Sequence, residues 1–200
     1  NAVTIADAGA FSASLGSMTL IKTLTASSSN TLSFVHGASS VVLDGTYPIY
    51  KFEFINCHPA NNNVFFEFNM SVDSGSNYNV TKTTTFFQAE LSEAGGGAQI
   101  SYDADDDLAQ ATGFQHISDA VGNDNDANTN GFLTLFNPAS TTFVKHFIAQ
   151  GSGMYASNYI IPAYSAGYGN TTSAVNAIRF QFNSGAIASG KIKLYGIKDS

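Results

Sequence analysis

The chain has 200 residues, 44% of them hydrophobic and only 12% charged, with a formal net charge of −7. That length and apolar share suit one domain with a substantial core. A single arginine (Arg179) and lysines scattered at 22, 51, 82, 145, 191, 193 and 198 leave no basic stripe for nucleic acid or an anionic membrane.

Cys57 is the one cysteine, so no intrachain disulfide forms and the fold rests on its core. With so little charge, the surface must be covered by Ser, Thr, Asn and Gly. Part of it reads as a surface meant to be buried in an assembly.

From the N-terminus, no basic region precedes an apolar core, so the start does not read as a signal peptide. No apolar run approaches the roughly 20 residues of a membrane helix, and the chain reads as soluble. Residues 1–17, with isolated Val3, Ile5, Phe11 and Leu15 among Ala, Ser and Gly, read as an extended arm. It lies on the domain or reaches a neighbour.

Residues 18–200 read as one domain. Strands are expected at 18–25, 31–36, 49–57, 63–72, 79–88, 98–102, 114–117, 132–137, 141–149, 158–164, 177–183 and 191–197, separated by Gly, Pro, Asn, Asp and Ser turns. Tyr50-Lys51-Phe52-Glu53-Phe54, Val64-Phe65-Phe66-Glu67-Phe68 and Ile178-Arg179-Phe180-Gln181-Phe182 alternate most cleanly, sending one row of rings inward and a mostly polar row outward. Only 108–111 or 117–121 reads as a single helical turn.

Two proline corners look alike. Ile55 to Asn61 is expected to turn back into 64–68, and Phe136-Asn137-Pro138-Ala139-Ser140 into 143–147. The fold class that follows is all-β, an antiparallel β-sandwich of jelly-roll type with an extended N-terminal arm.

Chemical signatures are sparse. Asp126, Asn128, Asn130 and Gly131 match the opening of a calcium loop, but the closing glutamate position is Asn137, so 122–131 reads as a solvated loop. The acidic run 103–107 suggests nothing more specific. His36, His58, His116 and His146 lack metal-ligand spacing, and His146 reads as a hydrogen-bonded sheet histidine. Gly151-Ser152-Gly153 is no nucleophile elbow, and Gly95-Gly96-Gly97 precedes no helix.

Glu53 and Glu67 are expected as outward charges that discourage edge pairing. No catalytic, cofactor-binding or metal residue is nominated, and no enzyme is expected. Three Asn-x-Ser/Thr triplets, at Asn69, Asn79 and Asn170, carry no weight in so Asn-rich a chain. Tyr155, Tyr159, Tyr164 and Tyr168, set among Gly, Ser and Asn, read as a sugar-binding face, a subunit contact or the rim of a sheet.

The phrases Ser33-Phe34-Val35, 50–59, 135–142 and 190–198, with Val144-Lys145-His146-Phe147 and 166–174, resemble a family of small structural proteins of marine tailed bacteriophages and cyanophages. The resemblance spans roughly 19–198 and brings no catalytic residues. It implies a virion component, either a capsid decoration (cement) protein on the head exterior or a tail-fibre domain that binds host glycans. Expected partners are the major capsid protein or other virion subunits and further copies of the chain, a trimer by analogy among jelly rolls. A compact chain without heptads or shaft repeats favours decoration. A cellular carbohydrate-binding module is the non-viral alternative.

Overall fold

The computed structural model describes residues 17–199, so the expected arm lies almost wholly outside the described residues. Twelve strands follow in chain order: β1 (Met18–Thr25), β2 (Leu32–Val35), β3 (Ile49–Pro59), β4 (Val64–Ser71), β5 (Lys82–Ser92), β6 (Gln99–Tyr102), β7 (Gln115–Val121), β8 (Thr129–Phe136), β9 (Lys145–Tyr155), β10 (Tyr159–Gly169), β11 (Ala177–Phe182) and β12 (Ile187–Ile197). All pairs are antiparallel, and no helix occurs among the described residues. The fold is all-β.

The strands form one strongly curled sheet in the order β1-β12-β3-β8-β9-β7-β4-β11-β2, with β10, β5 and β6 branching from β9. A single bridge, Val121 to Tyr155, joins its two halves, β1-β12-β3-β8-β9 and β7-β4-β11-β2. Glycine permits that approach: a Cβ on Gly151 would stand 2.3 Å from the Ile117 carbonyl oxygen and 2.1 Å from Ser118 Oγ. Curling brings the ring rows of distant strands face to face. Phe34, Phe52, Phe54, Phe66 and Phe68 surround Phe180 with centroid separations of 5.1 to 6.3 Å. Buried aromatic area of this kind dominates core energetics, and tilted or edge-on rings add to it.

The expected turn-back of 55–61 into 64–68 does not occur as a ladder. β3 pairs with β12 and β8, whereas β4 pairs with β11 and β7. The chain instead crosses the core there, and Phe54 meets Phe66 at 5.2 Å through the rings, not through the backbone. The second corner does return as a hairpin, β8 to β9. Asn56 and Asn137 both take positive φ (50° and 44°), a conformation asparagine tolerates.

Residues 117–121 belong to β7 rather than to a helical turn, and 108–111 is an irregular stretch whose Ala111 bridges Lys82. Pro162 sits inside β10; the β10–β5 register breaks off between Ile160 and Ala163, where proline offers no N–H.

Candidate functional site

The register of the sheet shows which side chains share its outer face. Ile148 on β9, Tyr164 and Ile160 on β10, Phe87 and Leu91 on β5, and Ile100 and Tyr102 on β6 all point to solvent. Ile100 is 82% exposed, Tyr102 56% and Phe87 44%. Phe87 and Tyr164 are direct cross-strand partners with rings stacked at 5.1 Å and 11°. Between them lie Thr83, Thr85, Ala89, Gln150, Ser152, Pro162 and Ala166, so the outward positions of these four strands carry no Asp, Glu, Lys or Arg. His146, at the margin, is the sole titratable exception apart from tyrosine.

Charge resumes beyond β8, where Lys51 and Glu53 of β3 pair at 3.0 Å, and at the β6 end, where the Tyr102 hydroxyl donates to Asp107. On the spacing of strands and residues, this uncharged face covers on the order of 500 Å² in projection. The exposed apolar side chains gathered on it suit a contact site. β6 pairs only with β5, which leaves its other edge open beside the face.

The expected tyrosine cluster divides. Tyr164 lies on the outer face and Tyr168 stands near His146, at 5.8 Å between rings. Tyr155 and Tyr159, paired across the β9–β10 turn, line a cleft of about 480 Å³ with Glu90, Gly97, Gln99 and Ser157. The Gln99 amide donates to Glu90 Oε1, which fixes the polar wall opposite the rings.

In 122–131 the tip, Asn123 to Asp126, is exposed, while the residues after it are held by hydrogen bonds. Asn130 Nδ2 donates to Asn128 Oδ1 at 2.5 Å, and Asn130 Oδ1 accepts the Asn56 N–H at 2.8 Å. The Ala127 carbonyl meets His58 Nδ1 at 2.7 Å. Residues 129–131 are already strand. Among the described residues, no group of three or more His, Cys, Asp or Glu gathers as for a metal.

Two expectations about side chains are corrected. His146 is a sheet residue of β9, as expected, but its ring points outward beside Tyr168 and makes no hydrogen bond among the described residues. Glu53 does face outward, but Glu67 is only 6% exposed. The segment 103–113 folds over its row and is tied down by Thr84, Gln115 and a bridge from Ala111 to Lys82. His116 Nδ1 meets Asp106 Oδ1 at 2.7 Å and its Nε2 meets Glu67 Oε2 at 3.5 Å, while Phe65 stacks on the ring at 4.4 Å. Gln181 donates to Glu67 Oε1 at 2.8 Å.

Burial works against charge on His116, but the hydrogen bonds and fields of Asp106 and Glu67 outweigh it, raising the pKa to about 9. At neutral pH this is a partly buried imidazolium between two carboxylates, a clamp holding 103–113 onto β4 and β7.

Asn69, the first of the Asn-x-Ser/Thr positions, is wholly buried. Lys82 and Lys145 are also fully buried, each bonded to neutral oxygens. Sequence reading missed both lysines, although each falls on the inward row of its strand. No protein-family model, no curated protein and no solved structure matches this chain.

Proposed function

We propose that this chain is a non-enzymatic structural protein of a tailed-bacteriophage virion, a decoration protein on the capsid exterior, built as an antiparallel β-sandwich of jelly-roll type. The fold reading is supported by the pairs β1–β12, β2–β11, β3–β8 and β4–β7, the nesting that a rolled-up hairpin of eight strands produces. β5–β6 and β9–β10 are then insertions that extend one sheet. The functional reading is carried by the uncharged outer face of those inserted strands.

A chain of net charge −7 that clears four adjacent strands of charge there has a surface suited to burial against a coat subunit. A standard interface takes about 800 Å² from each partner. The face supplies its apolar centre, with Asp107 (2.5 Å from the Tyr102 hydroxyl) and Gln150 at the rim. The titratable groups that do converge, Glu67, Asp106 and His116, are bonded to one another in a clamp. The resemblance in sequence to phage structural proteins points the same way.

Quantitative mass spectrometry of purified particles tests this. A copy number comparable with the major coat protein is expected. Absence from purified particles would sink the reading.

A second reading, a tail-fibre domain that binds host glycans, is favoured by the Tyr155–Tyr159 cleft, where rings face a carboxylate and an amide. Saturable binding to one sugar class on a glycan array, lost in Tyr159→Ala, combined with a low copy number, would select it.

A further inference from the structure

Lys82 opens β5 with its side chain fully buried. Its Nζ donates to Asn69 Oδ1 at 2.6 Å and to the Val80 carbonyl at 2.8 Å. Among the described residues it has no carboxylate partner. An ammonium buried against neutral oxygens alone is costly. Burial accordingly lowers the pKa of Lys82 to about 7, so in mildly alkaline solution it is largely a free amine, and a free amine is a nucleophile.

The group it faces is held in one orientation. Asn69 Oδ1 accepts the Met70 N–H at 2.8 Å as well as Lys82. Asn69 Nδ2 faces the carbonyls of Tyr78, Thr112 and Gly113 at 2.7, 2.9 and 3.3 Å. A flipped carboxamide would set donor against donor at Lys82 and Met70. A carboxamide nitrogen has two hydrogens, yet three carbonyls surround it, which is the set that ammonia would use. Because Nζ is 2.6 Å from Oδ1 and a C=O bond is about 1.2 Å, Nζ lies no more than about 3.8 Å from Cγ. Near-attack separations are about 3–3.5 Å.

We propose that Lys82 and Asn69 join in an intramolecular isopeptide bond. The Nζ lone pair attacks Cγ, and the oxyanion of the adduct is held by the Met70 N–H. A proton passes from Nζ to Nδ2, now substituents of one carbon. The Cγ–Nδ2 bond then breaks and ammonia leaves. Amine and primary amide become secondary amide and ammonia, with no oxidant or further reactant. With no carboxylate at the pair to relay the proton, bond formation is a slow maturation step. The product replaces an uncompensated ammonium with a neutral amide and ties β4 to β5. Lys145 is the internal comparison: its Nζ meets only the backbone carbonyls of Phe143 and Thr171, and it stays an amine. The inference is independent of the virion role.

The test is the intact mass of the full chain, fresh and after a week at pH 8.5, followed by peptide mapping. Loss of one ammonia, about 17 Da, is expected, with a branched fragment that contains Asn69 and Lys82. Lys82→Met should keep its full mass. Full mass after incubation, or a loss that persists in Lys82→Met as ring closure at an asparagine alone would give, overturns the proposal. Should Lys82→Met fail to fold, the wild-type digest decides: complete tryptic cleavage after Lys82 and no branched fragment also overturns it.

Discussion

The His116 clamp makes stability depend on pH in a calculable way. The folded pKa of about 9 stands above the ordinary histidine value of 6.5, so the folded state binds the proton more tightly. The stabilisation is present in full below pH 6.5 and is lost as pH rises through 9. At about 1.4 kcal/mol per pKa unit the clamp contributes about 3 kcal/mol at pH 6. Its side chain is 20% exposed, so solvent screening is limited.

Lys82, while it remains an amine, acts with the opposite sign. Its pKa is lowered to about 7, so its penalty is complete below pH 7 and is relieved towards 10.5. Wild-type stability alone would blur the two. The difference between wild type and His116→Gln isolates the clamp, because Lys82 is common to both. Urea unfolding followed by circular dichroism should show wild type ahead by about 3 kcal/mol at pH 6, with the gap closing by pH 10. A gap of equal size at both pH values would refute the charged clamp.

Three further outcomes follow from the packing. Phe180→Ala removes the ring at the centre of the phenylalanine cluster and should cost about 3–5 kcal/mol by denaturant unfolding, whereas Phe143→Ala, at an exposed position, should cost near zero; equal losses would contradict the packing. Gly151→Val places side-chain atoms where the Ile117 carbonyl and Ser118 stand. It should open the β7–β9 junction, read as faster amide exchange in β7 than elsewhere in the sheet. Burial pushes the Cys57 thiol up to about 12, so a thiol reagent at pH 8 should label it only in denaturant; prompt labelling of folded protein would contradict its placement.

Much of this fold was legible because its strands carry their own periodicity. Rings at 50, 52 and 54, at 66 and 68, and at 180 and 182 mark inward rows, and every expected strand overlaps one that forms. Boundaries drifted where alternation fades. β9 runs on through Gly151 and Gly153, and β10 through Ala166 and Gly167, where small residues give no apolar beat. Residues 117–121 misled because Asp119 and Ala120 interrupt the pattern.

Strand partners are a different matter. Whether 55–61 returns beside β3 or crosses the core is decided by which ring row it must cover, and no local residue records that. Glu67 is the sharper case: its alternation places it opposite the rings, as it is, but its burial depends on a segment some forty residues away folding over it. Lys82 was legible, since 82, 84, 86 and 88 share the inward row with Phe86. The uncharged outer face could also have been noted strand by strand, but only the register joins β9, β10, β5 and β6 into one surface.

The most direct test of that surface is binding of purified chain to particles that lack it, comparing wild type with Phe87→Asp and Tyr164→Asp. Each substitution gives up the Phe87–Tyr164 stack and sets an Asp in a strand, so each variant should lose about 1–2 kcal/mol and stay folded. Wild type is expected to sediment with the particles and both variants to remain free. Variants that bind as wild type does would show that the uncharged face is not the contact.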